Sequence, residues 1–407
     1  MLTQQDIIDF CNQHNYDIRE SHNGRWIDQK LTLDVLSFIA DCILQLTEDD
    51  PNKEFKAKDI WTYKPVGDNV RLIFKKPDVN DQKATREYDK FFGQPLKLLG
   101  YSKVLCEEKR GRYNVYKIEN IEVLEYIASR EKNALFFLKT YIEKVLHDSN
   151  MMAYFDDFFT RQSKNAYERV KTEMQNFTIN NTNINGETEC NRIFTKVLNV
   201  LAYYRNACGT RGGHISKSII TYDELMYNRL NFRDSYADKP KGVTRKEYAA
   251  THPVEVNEAY YHYQSAKAKR FLRLFNDQNR DGQTEHLEAA HMQDRAIHMH
   301  HIFPEAIYPE ICYYLENIIA LTPTQHLNYA HPNGRTQEID EQYQHLLLLS
   351  KADRIYENLT DAAVDKIYEF ANFLFVLNVG FDNDDVLKIA DMDFGAVVNA
   401  INVHYAA

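Results

Sequence analysis

Apolar residues recur at helical spacing through "LTLDVLSFIADCILQLTEDD" (31–50), which predicts an amphipathic helix with an acidic end. The stretch "ATREYDKFFGQPLKLLGYSKVLCEEKRGRYNVYKI" (84–118) reads as a helix, a break at Gly93–Pro95, a second helix and a hairpin. In that hairpin "SKVL" and "YNVYKI" alternate about the basic turn "EEKRGR". From Glu122 to about Gln175 the pattern is helical, and "NFTINNTNINGETE" (176–189) interrupts it as a loop or domain boundary. Next come an amphipathic helix ended by glycines, "CNRIFTKVLNVLAYYRNACGTRGG" (190–213), and a basic helix, "NEAYYHYQSAKAKRFLRLF" (257–275). A polar linker, "NDQNRDGQTEHLEAA", follows that helix. Beyond Gly334 the tail predicts helices in "IDEQYQHLLLLSKADRIYENL", "DAAVDKIYEFANFLFVL" and "DDVLKIADMDFGAVVNAINV", and no internal repeat is visible.

At 407 residues the chain exceeds one ordinary core, and its aromatic content allows a sizeable one in each of two or three domains. The start, "MLTQQDIIDFCNQHNYD", lacks the basic and apolar regions of a secretory signal, and apolar runs such as "ANFLFVLNVGF" are too short to cross a bilayer. The expectation is a soluble protein with no membrane partner. Six cysteines without a CxxC pair argue against a disulfide scaffold and an all-cysteine zinc site, and favour a reducing cytoplasm.

The net charge of −10 disfavours nucleic acid as a partner when taken alone. It conceals two basic segments: residues 51–120 carry 16 Lys/Arg against 10 Asp/Glu, and residues 191–246 carry 11 against 4. Two readings stand, a phosphate-binding surface on an acidic body and a chance clustering of solvated lysines. Helices followed by a basic hairpin have the layout of a winged helix, in which the last helix enters a groove and the wing touches backbone. An ordinary α+β surface with a charged loop is the alternative. Under the first reading Arg86, Lys90 and Lys97 lie near the reading helix, and Lys109, Arg110 and Arg112 lie on the wing.

The densest chemistry is "AIHMHHIFP" (296–304), with His298, His300 and His301 in four positions. "IHMHHIF" reads as a short strand, "YPEICYY" as a connection, "NIIALT" as a second strand, and "PTQHLNYAH" as a helix with Pro323 in its first turn. Neighbouring strand residues face opposite ways, so this frame can bring His300 and His326 to one ion while His301 serves another task. A structural zinc site or coincidental core histidines are the alternatives, but no closed set of four ligands is evident.

"HMHHIFP", Asn317 in "LENIIALTP" and His326 nine residues later resemble the HNH, or ββα-metal, nuclease motif over about residues 290–335. Segments in "RIFTKVLNVLAYYRNACGTRGGHISK" and "LMYNRLNFRD" are similar to stretches that precede the motif in some type II restriction endonucleases. The resemblance implies His301 as general base toward the attacking water, His300 and His326 as ligands of one divalent cation, and Asn317 as a brace that helps orient His301. Some family members place a third helical ligand four residues after the first, where this chain has Ala330. His331, one further on, is expected to point away from the ion. It stands as a candidate substrate contact or a plain helix-end residue, and His298 as a candidate for orienting the site or touching phosphate. With few protein ligands, waters fill the metal shell, which favours Mg²⁺, with Mn²⁺, Zn²⁺ or Ni²⁺ as alternatives.

The expected fold is therefore α+β and mainly helical. A winged-helix-like domain spans 1–130, a helical basic region 131–285, the HNH module 286–335 and a helical region 336–407. Arg205, Arg211, Lys217, Asn228, Arg229 and Arg233 are expected on DNA, while Tyr227, Phe232 and Asp234 can instead fasten the module to its scaffold. The resemblance implies a sequence-specific double-stranded DNA endonuclease in a bacterial-type cytoplasm, acting as a homodimer beside a cognate DNA methyltransferase. A modification-dependent or phage-defence HNH nuclease and a non-catalytic winged-helix regulator are the rival readings.

Overall fold

A computed structural model describes residues 1–81, 84–227, 240, 243, 247–248, 251, 258–287, 294–331 and 339–406. Over these residues the chain is mainly helical, with small two-stranded antiparallel sheets. It divides into two compact units, Leu2–Asp234 and Ser235–Ala407 with Met1. The expected boundary at 130/131 falls inside the first unit, and the expected 286–335 module falls inside the second.

The first unit opens with α1 (Gln4–Asn12) and α2 (Ile18–Ser21), followed by α3 (Leu33–Leu46). Every residue from Leu33 to Ile43 is buried, so α3 is a central helix and has no amphipathic surface face there. Its polar positions are satisfied internally: Ser37 Oγ donates to the Ala128 carbonyl at 3.3 Å, and the Asp34 carboxylate accepts the Tyr227 N–H at 3.1 Å. Then come α4 (Ala57–Trp61), α5 (Lys64–Phe74) and α6 (Ala84–Tyr101). The break expected at Gly93–Pro95 does not occur, and α6 is continuous with Pro95 inside it. Tyr88, Phe91, Phe92, Leu96, Leu98 and Leu99 on both sides of the proline enter the core, and their burial offsets the hydrogen bond that proline forfeits.

The strands β1 (Leu105–Arg110) and β2 (Tyr113–Ile118) pair from Leu105↔Ile118 to Arg110↔Tyr113. The residues "EEKR" thus lie in the strand, and the turn is Gly111–Arg112 with Gly111 at φ 65°. Phe55, between α3 and α4, adds a further bridge to Tyr116 through N–H···O bonds of 2.9 and 2.8 Å.

Helices α7 (Ile121–Ser129), α8 (Glu131–Asp148), α9 (Met152–Arg161), α10 (Lys164–Asn181) and α11 (Glu187–Tyr204) complete the helical body. The expected loop at 176–189 contracts to residues 182–186. The glycines after α11 do not end a helix. Gly212 and Gly213, at φ 58° and 81°, form the turn of a second hairpin, β3 (Cys208–Arg211) and β4 (His214–Ile219).

In the second unit α12 (Glu258–Asn279) packs on a third hairpin, β5 (His298–His301) and β6 (Ile318–Leu321). All four β6 residues are fully buried, which fixes the sheet against its unit. A π-helical turn (Gln325–Ala330) follows, then α13 (Glu341–Thr360), α14 (Phe370–Phe381) and α15 (Phe394–Ala406). Residues 361–369, expected to be helical, are extended and turn-like. Asn358 holds that segment by donating to the Asp365 carbonyl and accepting the Ile367 N–H, each at 2.9 Å.

Candidate metal centre

Strand β5 pairs with β6 from His298↔Leu321 to His301↔Ile318, so alternation puts His298 and His300 on one face and His301 on the other. On the first face the His300 and His326 rings lie 5.2 Å apart, and His331 is 5.0 Å from His300 and 4.9 Å from His326. One nitrogen from each of these three imidazoles falls within 4.8 Å of the others, close enough for the three to converge on a single cation.

His331 therefore does not point away from the site, as an ordinary α-helix would have it. In the π-turn the backbone closes over five residues rather than four, so positions 326 and 331 come to the same side. The extra residue that seemed to spoil the spacing is absorbed by the wider turn. His298 stacks flat on His326, with ring centres 4.6 Å apart and planes at 11°, and so covers a ligand ring.

The triad's electrostatics suit a metal. Burial first, and then the neighbouring imidazoles and Lys269, hold His300 well below the ordinary histidine pKa. Burial, with His298, His331 and Lys269, brings His326 down to about 4. Both rings are thus neutral at neutral pH, the form that coordinates. Nδ1 of His326 is buried and has no hydrogen-bond partner among the described residues, so a cation there would satisfy an orphaned polar atom. The residues present fit a divalent metal.

On the opposite face His301 Nε2 lies 2.8 Å from the Cys312 carbonyl and 3.2 Å from Ser265 Oγ. A carbonyl only accepts, so Nε2 carries the hydrogen and Nδ1 keeps the lone pair. Burial, reinforced by Lys269 and opposed by the Cys312 bond, takes the His301 pKa down to about 3. Glu305 Oε2 lies 3.7 Å from Nδ1 and accepts the Ser265 hydroxyl at 3.1 Å, while Oε1 lies 2.7 Å from His262 Nδ1. Ser265, His301 and Glu305 superficially resemble a serine-hydrolase triad. Ser265 is only 3% exposed, and its proton goes to Glu305 while the facing imidazole nitrogen is itself protonated. That hydroxyl has no imidazole base and, buried, no access to substrate.

Asn317 is fully buried and clamps the connection between the strands. Its Oδ1 accepts the Phe303 N–H at 2.8 Å, and its Nδ2 donates to the carbonyls of Phe303 and Ile311 at 2.9 and 3.3 Å. It bears on His301 through the chain, because the carbonyl next to Ile311 is the one that binds His301 Nε2.

Sequence reasoning missed the buried frame behind β6. The Ala320 N–H donates to Glu285 Oε2 at 2.8 Å, and the same carboxylate takes Arg280 at 2.6 Å, Tyr368 at 3.0 Å and Lys351 at 3.4 Å. Burial raises the Glu285 pKa, but Lys351 and Arg280 outweigh it and bring it down to about 2. Beside it, Thr284 Oγ1 donates to Gln325 Oε1 at 2.6 Å and so ties this segment to the turn bearing His326. The missed residues Thr284 and Glu285 sit in what reads as a polar linker.

The expected DNA contacts divide. Arg86, Lys90 and Lys97 lie exposed along one side of α6, and Lys109 and Arg112 are exposed on the first hairpin. Arg110 is exposed but held by Glu54 at 2.6 and 2.8 Å and by Glu108 at 2.6 Å. Arg205 pairs with Asp156 at 2.8 Å. Arg211 commits four of its five N–H donors to Glu224, Ser218 and the Ile219 carbonyl, which leaves no fork for a guanine. Lys217 is exposed on β4. Tyr227 is anchored within its own unit, its hydroxyl 2.6 Å from both Lys30 and Lys76. Asn228, Arg229, Phe232, Arg233 and Asp234 lie outside the described residues. No described helix is long and apolar enough to cross a membrane.

No family model, curated protein or solved structure matches this chain.

Proposed function

We propose that the chain is a metal-dependent DNA endonuclease of the HNH type that hydrolyses phosphodiester bonds. The observation that carries the reading is the convergence of His300, His326 and His331 on one face of a strand whose next residue, His301, presents a lone-pair nitrogen on the other. In this reading the three imidazoles hold one divalent cation. A third imidazole in place of water shifts the preference from Mg²⁺ toward Mn²⁺, Zn²⁺ or Ni²⁺. When bound, the cation supplies Lewis acidity at the scissile phosphate and the leaving oxygen.

His301, its pKa held down to about 3 by burial, is unprotonated at neutral pH and a weak base, and its Nδ1 takes a proton from water as the water oxygen attacks phosphorus. The P–O3′ bond breaks, and the 3′-oxygen gains a proton from solvent, leaving 5′-phosphate and 3′-hydroxyl ends. Glu305, close to Nδ1, provides the counter-charge for the imidazolium. Asn317 and the Cys312 carbonyl keep the ring in the required tautomer.

The order helix, bridge residue, three helices and hairpin, from α3 through Phe55 and α4, α5 and α6 to β2, supports a winged-helix reading of the N-terminal region. Its DNA face is then Arg86, Lys90, Lys97, Lys109 and Arg112. We take the whole as a type II restriction enzyme of a bacterial cytoplasm, working as a homodimer beside a methyltransferase. Digestion of plasmid after metal stripping and reloading tests this. Discrete fragments from unmodified DNA are expected. Cleavage confined to methylated DNA would favour the modification-dependent alternative, and no cleavage with any metal would favour a DNA-binding regulator.

A further inference from the structure

Helix α12 presents one stripe to the sheet. The Tyr261 carbonyl accepts the Cys312 thiol at 3.6 Å, and Ser265, one turn on, reaches His301 at 3.2 Å. Lys269 follows one turn later on the same side, only partly exposed. Its positive charge bears on His300, His301 and His326 together. Burial lowers its own pKa, with Glu305 opposing. Among the described residues it forms no ion pair, and Glu305 acts on it only as a neighbouring charge.

A cation in this place needs a reason. Imidazole binds a cation through an uncharged ring, so a divalent metal held by three of them would keep both of its positive charges. Lys269 adds a third, and Glu305, beside His301, is the carboxylate whose charge bears on the lysine. Such a cluster repels itself until an anion arrives, and the anion is most strongly held when its own charge grows.

We propose that Lys269 is a further catalytic residue, an ammonium that grips a non-bridging oxygen of the scissile phosphate beside the metal. It gives and takes no proton. It stabilises the charge that accumulates on the phosphoryl oxygens while water adds and the P–O3′ bond breaks. This rests on the nuclease reading above.

The test compares wild type, Lys269→Gln and Lys269→Arg, each loaded with Co²⁺ and followed by its visible absorption. All three should bind Co²⁺, the glutamine variant no less tightly, since a like charge has been removed. Inorganic phosphate titrated into the Co²⁺ proteins should perturb the spectrum of wild type and of Lys269→Arg. Lys269→Gln should bind phosphate about tenfold more weakly. Its single-turnover cleavage should fall about a hundredfold, with partial rescue by arginine. Unaltered phosphate binding and cleavage in Lys269→Gln would overturn the proposal alone. So would loss of Co²⁺ binding in that variant, which would make the lysine structural. A wild type that binds no Co²⁺ and cuts no DNA would overturn the nuclease reading and this proposal with it.

Discussion

Two residues carry the site's least expected features. His331 joins the triad through the π-turn, so His331→Ala should weaken Co²⁺ binding by at least about tenfold, since even partners behind the ligands cost that much. Ala330, at the spacing four after His326, should tolerate Ser with no change in metal content measured by elemental analysis. Glu285 is the second case. It is fully buried, and removing one partner of such a charge cluster costs about 3–5 kcal/mol, so Glu285→Ala should lower the melting temperature sharply. Its folded pKa of about 2 lies below the ordinary 4.5, so its contribution is present above the unfolded value and is lost as pH falls from 4.5 toward 2. The gap in melting temperature between wild type and Glu285→Gln should therefore narrow below pH 4.5, and calorimetry across that range checks it.

Elements were legible where periodicity alone decides them. The histidine strand, its partner and the helices of 258–279 and 341–360 follow directly from patterns of two and of 3.6 residues. Failures came where local chemistry meets tertiary packing. Pro95 suggested a break, but apolar residues on both sides of it are buried in a common core. Gly212 and Gly213 suggested a helix end, yet their positive φ serves a hairpin. The π-turn has no signature in spacing rules, because those rules assume four-residue closure. It makes a direct prediction. Deleting exposed Asn328 should restore four-residue spacing between the two histidines and preserve stoichiometric Co²⁺ binding, measurable by titration. Loss of binding on deletion would say that the wide turn itself is required.

At the scale of the molecule the charge pattern had suggested a DNA grip in both basic segments. The structure separates charge that is committed from charge that is displayed. Arg110, Arg205 and Arg211 neutralise nearby carboxylates, whereas the α6 stripe and the hairpin turn remain exposed. Sequence gives the sum of charges but not their pairing, which depends on contacts between distant residues such as Arg205 and Asp156. Lys90→Ala with Arg86→Ala should weaken DNA binding and reduce the salt slope by about one per lost phosphate contact. Single-turnover cleavage at saturating DNA should hold.

The central claim is that His301 is the base of a metal-dependent nuclease, and single-turnover cleavage of plasmid by metal-loaded wild type and His301→Ala tests it most directly. The account predicts that the variant keeps its metal yet cleaves between about a hundredfold and ten-thousandfold more slowly, and that EDTA abolishes wild-type cleavage. Equal rates for the two proteins, with EDTA without effect, would contradict it.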